Sequence, residues 1–289
     1  MKFRQLIFAI LLFFLYGCSE EYDLALDESE NSIVIEALVT NDTLPNYVRV
    51  TKGSTSLKID FNSDGTPKAE AVLGALVIIS DDAGNIDTLS ESNHWYMKSK
   101  YGYYQTNSLN AKSGHSYYLY VKVDGVEYKA EAYMPDVVPI DSIYCKSIKL
   151  NENPPVLFFN EPANEKNYYL FDFPDMYRSW MFTLVDDRFL SSNIQETGFI
   201  LSDGENPKWW KNNLFDVQNY LMSGDSVLTV SMSSLTQESY EYLSSLNIQF
   251  NSDGGVYSPS PTSAKGNISN GALGYFRASS VSRISIKLD

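Results

Sequence analysis

Residues 115–132 read His115-Ser116-Tyr117-Tyr118-Leu119-Tyr120-Val121-Lys122-Val123-Asp124-Gly125-Val126-Glu127-Tyr128-Lys129-Ala130-Glu131-Ala132. Two runs of alternating polarity flank an Asp-Gly pair. Alternation with period two marks a strand with one face buried, and Asp-Gly tolerates the positive φ angles that a two-residue hairpin turn requires. This stretch predicts an antiparallel hairpin and organises the reading of what precedes it.

Ile33–Val39 and Tyr47–Val50 are strand runs separated by the turn residues Asn41-Asp42 and Pro45-Asn46. Val72–Ile79 is a longer apolar run that ends in Asp81-Asp82-Ala83-Gly84-Asn85, a second hairpin signal, and Tyr101–Thr106 alternates again. Six or seven short strands over roughly a hundred residues, punctuated at regular spacing, predict an antiparallel β-sandwich of immunoglobulin or transthyretin-like type. Pro135 and Pro139 then stiffen the chain and cannot pair in a ladder, which places a boundary there.

The expected organisation is a β-sandwich domain over 31–136 and a β-rich α+β domain over 137–289 with one or two short helices. In the second part Tyr168–Phe173, Ser179–Val185, Ser226–Met232 and Ala272–Lys287 have strand-like patterns. Ser234-Leu235-Thr236-Gln237 has the form of a capping box, and Tyr240, Leu243 and Leu246 follow at spacing three, so a helix is predicted over about 235–246. The protein is therefore expected to be mainly β.

The N-terminus supplies an address. Lys2 and Arg4 precede ten uninterrupted apolar residues, Leu6–Leu15. A span needs about 20 apolar residues, so this run reads as a signal peptide over 1–17. Small Gly17 before Cys18 gives it the form of a lipoprotein leader, with Cys18 the lipidated residue of the mature chain. A multiply acylated cysteine anchors stably, because each buried CH2 contributes about 0.8 kcal/mol. Residues 18–30 form an acidic tether. Its first part, Ser19-Glu20-Glu21-Tyr22-Asp23, resembles the acidic export signal of Bacteroidota lipoproteins carried to the outer face of the outer membrane. A lipid-anchored, surface-exposed protein is expected.

The chain carries 36 acidic and 22 basic residues, a formal net charge of −14. Phosphate backbones are repelled by such a balance, which argues against nucleic acid as a partner. Of the two cysteines, Cys18 is taken by lipid, leaving Cys145 alone in an alternating segment as a buried inert thiol. His94 and His115 lie far apart without a ligand or nucleophile at a useful spacing. Neither a zinc-protease helix motif nor a nucleophile elbow occurs. No catalytic residue and no cofactor is expected, and the chain reads as a binding module rather than an enzyme.

Three features are candidates for contact. Asp60, Asn62 and Asp64, followed by Gly65, have the opening spacing of a calcium loop, but Ala71 stands where the bidentate acid belongs, so an ordinary turn is expected and no metal. Trp209 and Trp210 sit in a polar, turn-rich stretch; they either contact a ligand or partner, a glycan or a peptide, or one of them plugs the core. Asp42-Thr43-Leu44, Asp87-Thr88-Leu89, Asp141-Ser142-Ile143 and Asp225-Ser226-Val227 resemble the periplasmic O-glycosylation acceptor of Bacteroidota.

Several segments together resemble one family. They are Ile33–Asn41, Gly74–Gly84, Met134-Pro135 with Asp141-Ser142-Ile143-Tyr144, Glu165–Tyr169, and Gly224-Asp225 with Ser239–Leu243. The most specific is Gly266-Asn267-Ile268 followed by Gly271-Ala272-Leu273-Gly274-Tyr275-Phe276. The pattern is similar to the Bacteroidota surface lipoproteins grouped as domain of unknown function four-two-four-nine. Their members are often encoded beside TonB-dependent transporters. The resemblance implies an accessory binding lipoprotein of a nutrient-uptake system, with a β-barrel transporter as partner; it carries no catalytic residues. The alternative is a structural or adhesive surface protein.

Overall fold

The computed structural model describes residues 32–42, 45–53, 69–95, 97–146, 149, 153–163, 165–174, 182–190, 194–201, 227–251 and 264–288. The N-terminal lobe begins with β1 (Ile33–Thr40) and β2 (Tyr47–Lys52), then β3 (Leu76–Asp81), β4 (Ile86–Thr88), β5 (Ser90–Glu91) and β6 (Tyr103–Gln105). The predicted hairpin follows as β7 (Ser116–Val123) and β8 (Val126–Tyr133), eight residues each. Asp124 and Gly125 both have positive φ, 48° and 86°, the turn that Asp-Gly favours. The inward positions Tyr117, Leu119, Val121 and Val123 are all buried, so the alternation decides which face is wet.

The rest of the chain contains β9 (Ile140–Tyr144), β10 (Val156–Phe159), β11 (Tyr168–Asp172), β12 (Phe182–Asp186), helix α1 (Ile194–Thr197), β13 (Phe199–Ile200), β14 (Val227–Leu235), helix α2 (Gln237–Asn251), β15 (Leu273–Ser279) and β16 (Val281–Lys287), of which all but β15 build the C-terminal lobe. Two sheets, in the orders β13-β10-β9 and β12-β11-β14-β16, enclose a core that includes Leu157, Phe159, Phe171, Val185 and Val230. Helix α2 covers the opposite face of the second sheet, where Tyr240 packs on Tyr168 with ring centroids 4.6 Å apart. The fold is mainly β with a sandwich first and a β-rich second part, as the sequence predicts.

The chain does not, however, divide its cores at residue 136. The two sheets of the N-terminal lobe have the orders β15-β1-β2-β6-β5 and β4-β3-β7-β8. The strand that completes the first sheet is thus supplied by the far end of the chain. β15 lies parallel to β1, with Val34 opposite Leu273 and Thr40 opposite Ser279. Phe276 and Ala278 are fully buried in the N-terminal core. Burying a phenylalanine side chain contributes about 1.5–3 kcal/mol, so this return is a structural part of the lobe. The expected assignment of all of 137–289 to a second domain is corrected on this point, and the sandwich is not wholly antiparallel.

Residues 264–272 hold the return in place along the exposed edge of β8. Ser269 N–H donates to the Lys129 carbonyl at 2.8 Å, and Lys129 N–H donates to Ser269 Oγ at 2.7 Å. The Asn270 side chain donates to the Glu127 carbonyl at 2.8 Å. An uncovered edge invites pairing with other chains, and these bonds blunt it. From β15 the chain passes through Ser280, which is fully buried, directly into β16 of the other lobe.

The helix start also differs from expectation. Ser234 lies within β14, and Thr236 is the cap: its Oγ1 accepts the Ser239 N–H at 3.2 Å. Strand pairing of Ser234 with Tyr169 takes the residue that the motif offered as cap. The helix then runs on to Asn251.

Candidate functional site

The tip of the N-terminal sandwich holds an open cavity of about 420 Å³ between the β3–β4 turn and the loop leading into β7. Ligand pockets commonly span about 300–1,000 Å³. Its walls are held by side chains bonded to backbone. Asp81 Oδ1 accepts the N–H groups of Ala83 at 3.1 Å and Asn85 at 2.8 Å, while its Oδ2 accepts the Asn85 amide at 2.7 Å. Gly84, with φ of 89°, completes that turn. On the other wall, Tyr117 OH donates to the Lys112 carbonyl at 2.9 Å and accepts the Lys112 N–H at 2.6 Å.

Asp87 joins the two walls. It is 4% exposed, and its Oδ2 accepts the backbone N–H groups of Asn107, Ser108 and Leu109 at 2.9, 2.8 and 2.8 Å. Three donors on one oxygen hold the loop against β4 and fix the direction of the carboxylate. At the rim, one step beyond the Asp81–Tyr117 pair of β3 and β7, His115 Nδ1 lies 2.6 Å from Asp82 Oδ1. The His115 ring beside Asp82 holds its carboxyl below the usual carboxylate range. Donors, acceptors and the apolar side chains of Ile86 and Leu109 face one space. Such a space is suited to holding a small ligand by hydrogen bonds.

A second polar cluster ties the lobes together. Asp172, Ser231 and Arg283 stand in one row across β11, β14 and β16. Ser231 Oγ donates to Asp172 Oδ1. Arg277, from β15 of the other lobe's sheet, acts on Asp172 electrostatically, and Arg283 reaches Asp42 beyond the end of β1 at 2.6 Å. The carboxyl of Asp172 is enclosed although the residue as a whole is half-buried. Burial pushes it up to about 6, against the opposing pull of Arg277 and Arg283. Burial also lowers the Arg277 guanidinium, against the opposing pull of Asp172. Beside this cluster Tyr242 of α2 stacks on Tyr275 of β15, with ring centroids 4.4 Å apart and planes 20° apart. Charge and aromatic stacking thus meet at the junction of the two lobes.

The residues singled out from sequence fall elsewhere. Cys18 and the export-like Ser19, Glu20, Glu21 and Asp23 lie outside the described residues, as do Asp60, Asn62 and Asp64 of the calcium-loop candidate and Trp209 and Trp210. Among the described residues no group of three or more His, Cys, Asp or Glu is placed to hold a metal ion. Cys145 is 9% exposed, and its thiol donates to the Asn153 carbonyl at 3.8 Å. Asp87 carries the loop anchor within a triplet read as a glycosylation motif. Its alternate position on a short strand, facing inward, was the available signal. Asp172 was marked by a different one: an acid between Phe171 and Phe173 in an otherwise apolar strand.

The return of β15 to β1 makes both lobes one unit of sequence, and the comparisons agree. The family model described as Domain of unknown function (DUF4249) matches residues 19–285. The chain belongs to this family. The DUF4249 match takes in both lobes and ends within β16, so it includes the C-terminal return that closes the first sandwich. Comparison with curated proteins found no match.

Proposed function

We propose that this DUF4249 member is an outer-membrane surface lipoprotein, anchored through Cys18, that acts as the accessory binding component of a TonB-dependent nutrient-uptake system. The observation that carries the reading is the preformed cavity at the tip of the N-terminal sandwich. Its walls are rigidified by Asp81, Asp87 and Tyr117. A site organised before binding loses less entropy when a ligand arrives. The leader ending at Cys18 and the acidic residues after it support the location. On this reading the chain captures rather than converts its ligand.

Gentle detergent extraction followed by affinity purification tests the partnership: a large β-barrel is expected to co-purify. A chain extracted alone, whose deletion leaves growth on every tested nutrient unchanged, refutes it. Intact mass spectrometry and protease shaving of whole cells test the anchor and its orientation independently. An unacylated Cys18 or a shaving-resistant protein contradicts the surface location.

A further inference from the structure

We infer that the tip cavity is a sugar site, taking a neutral, polyhydroxylated ring against Asp87, Asn110, Ser108 and Lys112. The inference rests on the capture role proposed above and names its ligand class.

Asp87 carries an acceptor that the described residues leave unused. Asp87 is 96% buried by its exposure of 4%, and all three of its hydrogen bonds fall on Oδ2. Oδ1 accepts none among the described residues, yet Asp87 lines the cavity. A carboxylate oxygen that faces open space without a protein donor is met by water, and a ligand hydroxyl can take that water's place. Beside it, the side chains of Ser108, Asn110 and Lys112 line the same space and have no hydrogen-bond or ion-pair partner among the described residues. The cavity therefore combines one directed acceptor with a hydroxyl, an amide and an ammonium, and Ile86, 69% exposed, offers an apolar surface next to them.

A sugar ring matches this set. Its hydroxyls both donate and accept, and vicinal hydroxyls suit the paired groups of an amide. Its C–H face packs on aliphatic side chains. A charged ligand matches less well. The carboxylate of Asp87 is already offset by three N–H dipoles, which weakens its attraction for a cation. An ammonium or carboxylate entering the cavity also loses its hydration, a penalty that a hydroxyl largely avoids. The overall charge of −14 further disfavours anions.

The test uses the full chain in a sugar-free detergent. Saturation-transfer NMR is recorded with methyl glycosides of glucose, galactose, mannose, fucose and N-acetylglucosamine, and separately with glycine, alanine and lysine. At least one glycoside is expected to receive saturation. Asn110→Ala with Lys112→Ala, both exposed and with side chains that hold no hydrogen bond or ion pair among the described residues, should weaken it about tenfold, the loss of one to two hydrogen bonds, with the melting temperature unchanged. No transfer to any glycoside, transfer undiminished in the double variant, or transfer to the amino acids alone overturns the sugar site. Barrel co-purification is read on the same preparation. A chain that keeps its barrel while ignoring glycosides rejects the ligand class only, and one that binds glycosides without a barrel rejects the transport role only.

Discussion

The side-chain amide of Asn267 pairs with the backbone of Phe276 as a neighbouring strand would. Phe276 N–H donates to Asn267 Oδ1 at 2.8 Å, and Asn267 Nδ2 donates to the Phe276 carbonyl at 2.8 Å. The same Nδ2 also reaches the Glu131 carbonyl of β8 at 3.3 Å. One residue thereby links β15 to the edge of the facing sheet. Replacing it by Ala leaves two backbone groups of β15 without protein partners. Asn267→Ala is expected to cost about 1–3 kcal/mol, read by chemical denaturation. Asn267→Asp keeps the acceptor for Phe276 N–H and should lose less. Equal stability of Asn267→Ala and the parent refutes the clasp.

Gly274 of β15 stands opposite Ile35 of β1. Its φ is 100°, and a Cβ there would lie 2.1 Å from the Ile35 carbonyl oxygen. Gly84 has a comparable φ of 89° with nothing within 4 Å. Gly84→Ala meets only the backbone penalty, about 1 kcal/mol, whereas Gly274→Ala must also push the parallel strands apart. Gly274→Ala is expected to be the more destabilising by several degrees of melting temperature. Similar losses at the two sites would show that the strand contact yields without cost.

Two acids shape the pH dependence in opposite directions. Asp172 is raised from 3.8 to about 6, so the folded state holds its proton more tightly than the unfolded one. Its contribution is in place below 3.8 and is lost as pH rises through 6. Asp186, hydrogen-bonded by Arg188 at 2.9 and 2.7 Å, is lowered from 3.8 to about 2. Its contribution is present above 3.8 and is lost as pH falls through 2. Asp172→Asn should therefore gain about 1–3 kcal/mol relative to the parent at pH 7, with the gain vanishing near pH 4. Asp186→Asn should lose stability at pH 7 and match the parent near pH 2. Denaturation curves across pH 2–8 check both signs; an Asp172→Asn effect independent of pH discounts the buried acid.

Asp87 holds three N–H groups of the loop before β7. Asp87→Ala frees them, at about 2 kcal/mol, and opens that loop locally. Hydrogen exchange at Asn107, Ser108 and Leu109 should accelerate while the amides of β7 stay protected. Uniform acceleration throughout the lobe would mean that Asp87 supports the whole sandwich rather than the cavity wall.

The first turn of α2 separates two residues that look equivalent in sequence. Thr236→Ala removes the cap on Ser239 N–H and should cost about 1 kcal/mol. Ser234→Ala should leave helix content unchanged, because Ser234 belongs to β14. A larger loss of helical signal from Ser234→Ala would restore the capping box two residues earlier.

The strands of the N-terminal lobe were legible because each states itself locally. Tyr117, Leu119 and Val121 alternate with polar neighbours, and Asp124-Gly125 carries its own turn. Helix α2 was legible from Tyr240 and Leu243, but its start was displaced by two residues: Ser234 has two uses, and β-pairing with Tyr169 prevails over capping. The candidate site was harder to see. Asp82 and His115 are 33 positions apart, and Asp87 meets Asn107–Leu109 about twenty positions on. Such pairs leave no periodic trace in either segment.

Local patterning by itself determined that this chain is mainly β, where its hairpins turn, and which side of each strand meets water, because these depend on residues two to four apart. Only the tertiary structure decided that Leu273–Ser279 joins β1 in parallel, that Phe276 completes the N-terminal core, and that Asp87 braces an open cavity. Those outcomes depend on contacts between distant segments, and a pairing across more than two hundred residues is set by shape and hydrogen-bond closure in three dimensions.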